Sequence, residues 1–183
     1  MSLRIYGNRQ LKTLPGLSTR PTPARVREAL FNIWQGTIAG CCWLDLCTGS
    51  GAMGAEALCR GAAFVVGIEQ SGRACQVIRQ NWQQVATEAQ QFQVLRGNVL
   101  ERLPDLKKQS FDRIYCDPPY ASGLYEPILE AIDRFQLLAP DGELAMEHAP
   151  DRDMPDQWRS LVVCRSKVYG NTALTFYRGA GVE

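Results

Sequence analysis

A chain of 183 residues, 45% hydrophobic and 21% charged, predicts one globular fold with a core of its own and excludes disordered, collagenous and coiled-coil classes. No apolar run approaches the roughly 18 residues of a membrane span, and the opening MSLRIYGNRQ lacks the apolar centre of a signal peptide, so a cytoplasmic location is expected. The net charge of +1 hides a partition. Residues 1–30 carry Arg4, Arg9, Lys12, Arg20, Arg25 and Arg27 against Glu28 alone, a net +5, while the remainder holds 14 basic and 18 acidic groups, a net −4. A basic segment on a weakly acidic body suits a polyanionic partner, and equally a solvated tail. The seven cysteines are odd in number and form no C-x-x-C. They read as small buried hydrophobes in a reducing compartment, and with His148 the one histidine, no metal is expected. His148 itself reads as a satisfied structural histidine.

Leu3–Tyr6 and Leu11–Thr13 around Gly7-Asn8 predict a hairpin. Thr22 is placed to cap a helix with Pro23 at its first position and Val26, Leu30, Ile33 and Trp34 on its apolar face. Strand and helix then alternate. The predicted strands are 41–46, 64–68, 92–95, 111–116 and 143–148. The helices are 52–60, closed by Gly61, a helix capped by Ser71, and 125–135. In the Ser71 helix the stripe Ala74, Val77, Ile78, Asn81, Trp82, Val85 is apolar except at Asn81. Pro140-Asp141-Gly142 is expected to turn into the 143–148 strand. Only four residues separate Leu161–Val168 from Ala173–Tyr177, too few for a crossover helix, so these two form an antiparallel hairpin. The result is an α/β fold: a mostly parallel, doubly wound sheet of seven strands with an antiparallel C-terminal hairpin. The expected division is 1–36, a basic hairpin and helix extension that contacts the partner, and 37–183, the main domain.

The strand at 41–46 runs into Asp45-Leu46-Cys47-Thr48-Gly49-Ser50-Gly51-Ala52-Met53-Gly54, a G-x-G-x-x-G match at a strand-to-helix turn. A dinucleotide is the first reading of that motif. Asp45 speaks against it, because a carboxylate aimed at the crevice repels a pyrophosphate. It suits an ammonium group, such as the amino-acid end of S-adenosylmethionine. Glu69 ends the next strand, where an acidic residue can accept from both ribose hydroxyls. Asn98, after the third strand, can bond an adenine amine or cap the short segment 99–103.

The fourth strand ends in Asp117-Pro118-Pro119-Tyr120. In an open parallel sheet the ligand crevice lies beyond the strand carboxyl ends, where strand order reverses. The fourth strand is expected beside the first, so Asp117 faces the same crevice as Asp45. An exocyclic amine on a base is a poor nucleophile because its lone pair is delocalised into the ring. The Asp117 carboxylate and the Pro118 carbonyl can accept its two hydrogens and favour build-up of the lone pair, while Tyr120 offers a flat face for stacking.

This set resembles a class I S-adenosylmethionine-dependent methyltransferase, of Rossmann-like fold, that acts on planar amino groups. More narrowly, Arg20-Pro21-Thr22 with Arg25-Val26-Arg27-Glu28-Ala29-Leu30-Phe31-Asn32, Gly54-Ala55-Glu56-Ala57-Leu58 and Tyr169-Gly170-Asn171-Thr172-Ala173-Leu174 closely resemble the RsmD family. The resemblance runs from about residue 4 to 178. It implies methylation of N2 of a guanine in bacterial 16S ribosomal RNA, within an assembling small subunit, by a monomer without metal or membrane. It implies cofactor binding by Asp45, Thr48, Gly49, Ser50, Gly51, Glu69 and Asn98, and catalysis by Asp117, Pro118 and Tyr120. RNA contacts fall to Arg4, Arg9, Lys12, Arg20, Arg25 and Arg27. The hairpin Arg4–Lys12 is shorter and less basic than the family's usual form. Competing readings are another amino methyltransferase, for DNA adenine N6 or protein glutamine, a catalytically silent RNA-binding assembly factor, and an NAD oxidoreductase. Glutamine enzymes carry Asn where this chain has Asp117, DNA adenine enzymes usually need an additional recognition domain, and the NAD reading meets Asp45.

Overall fold

A computed structural model describes residues 2–13 and 23–181. The N-terminal hairpin pairs β1 (Ser2–Ile5) with β2 (Arg9–Lys12) across a turn at Tyr6–Asn8. Then follow α1 (Ala24–Ile33), β3 (Cys42–Leu46), α2 (Ala52–Cys59), β4 (Phe64–Glu69), α3 (Gly72–Val85) and β5 (Gln91–Arg96). After these come α4 (Val99–Arg102), β6 (Phe111–Cys116), α5 (Tyr125–Arg134), β7 (Leu138–His148), β8 (Gln157–Trp158), β9 (Leu161–Tyr169) and β10 (Thr172–Gly179). The main sheet has the order β5-β4-β3-β6-β7-β10-β9-β8. Its first five strands are parallel, and β10 runs antiparallel between β7 and β9. The chain moves outward from β3 to β5 and returns to lay β6 on the other side of β3, which puts the reversal of strand order between β3 and β6.

Three expectations change. Among the described residues the main sheet has eight strands rather than seven, because a two-residue strand, β8, pairs with the start of β9. The turn expected at Pro140-Asp141-Gly142 is a bulge inside β7: pairing with β6 jumps from Phe111↔Leu138 to Arg113↔Glu143. A side chain at 142 would lie 2.9 Å from both the Ala139 and Phe111 carbonyl oxygens, so only glycine lets the strand fold back so closely. Pro23 stands just outside α1, its carbonyl accepting from Val26 N and Arg27 N at 2.9 and 3.1 Å. The cap expected at Thr22 lies outside the described residues.

Side chains alternate across the sheet. On β3, Trp43 packs with α1, α2 and α3, while Leu44 and Leu46 pack with α4 and α5. Ile5 and Leu11 of the hairpin and Val26, Leu30, Phe31 and Trp34 of α1 belong to the Trp43 cluster. Phe31 stacks on Trp43 with centroids 5.3 Å apart, and Trp34 meets Trp43 edge-on at 5.5 Å.

One ion cluster ties these parts together. Arg27 Nε donates to Glu56 Oε2 at 2.6 Å, Arg27 Nη2 donates to the Arg4 carbonyl at 2.7 Å, and Arg60 Nη2 donates to Glu56 Oε1 at 2.9 Å. Arg27 is 3% exposed and Glu56 2%. Arg27, expected among the RNA-facing cations, is therefore an interior residue that joins the hairpin, α1 and α2. Removing one partner of a buried ion pair strands the other charge. Glu56→Ala is expected to lower unfolding stability by about 3–5 kcal/mol in urea titrations. A loss below about 1 kcal/mol, the value of a surface pair, would show that the cluster does not hold the hairpin.

Candidate active site

The carboxyl ends of β3, β4, β6 and β7 each deliver an acidic residue to one crevice. From β3 comes Asp45, 1% exposed, whose Oδ2 accepts from Gly54 N in the first turn of α2 at 3.1 Å. Burial holds its carboxyl well above the usual carboxylate range; the Gly54 N–H draws it back, and nearby Glu69 pushes it up again. From β4 comes Glu69, whose Oε2 accepts from Gly49 N at 2.9 Å and whose Oε1 accepts from Ser71 N at 2.8 Å. Each of these oxygens keeps a second lone pair.

From β6 comes Asp117, with its N–H on the Leu46 carbonyl at 3.3 Å, across the β3/β6 reversal. Burial raises its carboxyl well above the ordinary range, and the charges of Glu147 and Asp45 add to the effect. Pro118 is buried, Pro119 exposed, and Tyr120 38% exposed. The Tyr120 hydroxyl donates to Glu147 Oε1 at 3.1 Å and lies 3.0 Å from Thr172 Oγ1. Burial pushes that phenol up to about 12.

Glu147, near the end of β7, is the residue that sequence reasoning missed. It is 3% exposed and takes hydroxyl bonds from Tyr115 and Tyr120, while Tyr125 donates to its carbonyl at 3.3 Å. Burial raises its carboxyl too. The available signal was positional: like Asp45 and Asp117, Glu147 is an acid closing an apolar strand run. Thr172 adds meaning to the 169–174 block, since that segment at the head of β10 carries the hydroxyl beside Tyr120.

Cys47 lies near three of these acids, Asp117, Glu69 and Asp45. Its backbone is left-handed at φ 60°, an uncommon state for a residue with a side chain. Burial raises its thiol to about 12, and the charges of Asp117, Glu69 and Asp45 all act in the same direction. Among the described residues, no ion pair reaches Asp45, Glu69, Asp117 or Glu147.

The glycine loop is shaped by a tryptophan. The fully buried Trp82 indole donates from Nε1 to the Gly51 carbonyl at 2.8 Å. A Cβ at Gly51, Gly54 or Gly67 would lie 2.9, 2.3 or 2.6 Å from that ring. Gly51 also has φ 79° and Gly49 φ 59°, so both use backbone freedom that other residues rarely have. Thr48 turns its hydroxyl inward, 2.8 Å from the Asp45 carbonyl and 3.0 Å from the Ile68 carbonyl, and thereby laces the loop to β3 and β4. Ser50 presents its carbonyl to Asn81 Nδ2 at 3.2 Å. Asn98 is exposed and its Oδ1 caps α4 through Leu100 N at 2.9 Å. His148 is buried, with one ring nitrogen 2.8 Å from the Ala149 carbonyl and the other 2.8 Å from Thr175 Oγ1.

Of the expected RNA contacts, Arg4, Arg9, Lys12 and Arg25 are exposed, Arg27 is interior, and Arg20 lies outside the described residues. Arg9 Nη1 donates to the Val85 carbonyl at 3.2 Å, and Lys12 Nζ to Gln80 Oε1 at 3.3 Å, so both lie along α3.

A family profile described as "Conserved hypothetical protein 95" matches residues 3–178. The Escherichia coli (strain K12) "Ribosomal RNA small subunit methyltransferase D" is 33% identical over 165 residues, 90% of this chain and 80% of that protein. The solved "Putative methyltransferase yhhF from Escherichia coli" is 30% identical, with a TM-score of 0.86 over 100% of both chains. "A putative sam-dependent methyltransferase from Streptococcus mutans" aligns with a TM-score of 0.65 at 14% identity, over 84% of this chain and 48% of that one. The last likeness concerns the fold: the sheet and its flanking helices have the class I methyltransferase architecture.

Two outcomes are expected. Forcing a methyl group into the Trp82 ring by Gly54→Ala costs about 1–3 kcal/mol of stability, and the same change costs less in a Trp82→Phe background; equal costs in a double-mutant cycle would exclude the contact as the cause. A carboxyl raised by burial favours the fold while protonated, and that contribution is lost as pH rises through its folded value. The stability advantage of Asp117→Asn over the parent is therefore expected to widen from about pH 4 up through neutrality. A gap in urea midpoints that narrows with pH would mean that the fold stabilises the anion.

Proposed function

Since the chain belongs to the family described as Conserved hypothetical protein 95, we propose that it methylates ribosomal RNA, transferring a methyl group from S-adenosylmethionine to the exocyclic N2 amine of a guanine in 16S RNA of an assembling small subunit. One observation carries this reading: four carboxylates converge on a crevice at the strand reversal, and among the described residues none has a cationic partner. Buried acids without counter-ions invite a cationic ligand and repel a pyrophosphate. S-adenosylmethionine carries an ammonium and a sulfonium, so the acids fit it and disfavour a dinucleotide.

The residues present fit that cofactor in detail. Asp45 is the acceptor for the ammonium group, Glu69 has lone pairs left for the ribose hydroxyls, and Gly49 and Gly51 bring bare backbone to the ligand. Thr48 and Ser50 act through the shape of the loop. Asn98 lies just beyond β5, and its Oδ1, which caps α4 through Leu100 N, keeps a second lone pair for the adenine amine. When bound, the cofactor supplies an electrophilic methyl group that needs little further activation.

The chain's own residues then act on the amine. Asp117 and the Pro118 carbonyl would accept its hydrogens, which orients the nitrogen lone pair and stabilises positive charge as it develops on that nitrogen. The raised proton affinity of Asp117 beside Glu147 suits it to receive the proton released by the amine. Tyr120, fixed by Glu147 and Thr172, offers its ring to an unstacked base.

The test uses radiolabelled S-adenosylmethionine with small subunits from cells lacking the gene, followed by mapping of the labelled nucleotide. Label on guanine N2 is expected. Label on adenine or on protein would overturn the assignment, and cofactor binding without any transfer would favour a silent assembly factor. Asp117→Ala is expected to lower transfer by at least about a hundredfold, while cofactor binding, measured by calorimetry, survives. Full activity in Asp117→Ala would refute the role given to that carboxylate.

A further inference from the structure

We propose that the tip of the N-terminal hairpin is a second nucleotide subsite, at which an unpaired base of the RNA stacks on Tyr6. The inference rests on the RNA-substrate reading above. Tyr6 sits in the turn between β1 and β2 and is 50% exposed, one of three large hydrophobic side chains exposed among the described residues.

Its setting distinguishes it from a stray surface tyrosine. The Arg60 guanidinium carbon lies 4.3 Å from the Tyr6 ring centroid and 4.8 Å from that of Phe31. Phe31 in turn is stacked on Trp43 at 5.3 Å with planes 12° apart. The layers Trp43, Phe31, Arg60 and Tyr6 thus run from the centre of the sheet to the surface. Arg60 is held in place: its Nε and Nη2 both donate to Glu56 Oε1, at 3.2 and 2.9 Å. One face of Tyr6 is therefore covered by a fixed cation, and half of the residue remains open to solvent. A ring backed in this way is a rigid platform, and the flat group that continues such a series is a nucleobase.

Beside the ring lies a groove of about 470 Å³, bordered by Arg4, Tyr6, Asn32, Glu28 and Arg60. That volume is in the range of small-ligand sites. Of the carboxylates there, Glu56 is spent between Arg27 and Arg60, which leaves Glu28 against the exposed Arg4. An aromatic platform next to an exposed guanidinium matches one nucleotide, with its base on the ring and its phosphate at Arg4. The basic arm supplies the charge for this contact, but Tyr6 supplies the place where a base stops.

The test is equilibrium binding of a short single-stranded RNA carrying 2-aminopurine, whose fluorescence is quenched on stacking, to the full chain. The parent and Tyr6→Phe are expected to bind alike and quench alike. Tyr6→Ala is expected to bind about tenfold more weakly and to lose the quench, with thermal unfolding and S-adenosylmethionine affinity unchanged. Equal binding and quenching by parent and Tyr6→Ala would remove the subsite and leave the RNA reading intact. Failure of the parent to bind or quench this RNA would likewise remove the subsite, while failure to label small subunits would remove the RNA reading on which it rests. Weaker binding of Tyr6→Ala to small subunits, with unchanged binding to naked RNA, would assign Tyr6 to a protein contact and overturn the proposal.

Discussion

The Trp82 indole is the constraint from which the site follows. A side chain of its size reaches the sheet only where Cβ atoms are absent, and it meets Gly51 in the loop, Gly54 in α2 and Gly67 in β4. Its one donor is used on the Gly51 carbonyl. The glycine loop is thereby held in shape from behind, before any ligand arrives in front, and a preformed loop gives up less conformational freedom on binding. Asn81, one residue earlier, extends the same control outward. Its amide nitrogen donates to the Ser50 and Lys12 carbonyls and its oxygen accepts from Lys12 N at 2.9 Å. A single turn of α3 therefore positions both the loop and the exit of the hairpin.

A rigid loop allows the acidic crevice to exist. Bringing Asp45, Glu69, Asp117 and Glu147 together without cations costs free energy that the fold offsets only in part. Gly54 N, Gly49 N and Ser71 N donate to the first two, and tyrosine hydroxyls to Glu147. The raised carboxyls of Asp45, Asp117 and Glu147 are the residue of that cost. Under the proposed function the strain is relieved by what binds, since the ligand brings the positive charge that the chain withholds. A crevice already neutralised by lysine or arginine would be more stable and would bind such a ligand less well.

Local apolar patterning is enough to read the strands β3, β4 and β6 and the stripe of α3, and the four-residue gap between β9 and β10 is enough to read their antiparallel pairing. The strand ends were legible too, since Asp45, Glu69 and Asp117 follow directly from those strands. What escaped depended on distant partners. Arg27 sits at helical spacing with Leu30, Phe31 and Trp34, on the buried face, yet its interior place rests on Glu56, 29 positions away. β8 has two residues and no period to detect. The bulge in β7 arises from pairing with β6, which a Pro-Asp-Gly run describes equally well as a turn. Asn81 broke its stripe visibly, but the bonds that explain it reach residues 50 and 12.

The ion cluster also changes what the basic segment can be. A +5 count over residues 1–30 suits a polyanionic partner or a solvated tail, but the described part of that segment is built into the core through Ile5, Leu11 and Arg27. Two of its cations are laid on α3, and Arg9 at the Val85 carbonyl meets the negative end of that helix, where a cation is favoured. Glu56 then serves two directions at once. Inward, it neutralises Arg27 and fixes the hairpin to α1 and α2; outward, it clamps Arg60 beneath Tyr6. The same carboxylate that makes the hairpin part of the fold makes its tip a stiff surface. Recognition there depends on a held ring and its neighbouring guanidinium more than on the number of charges.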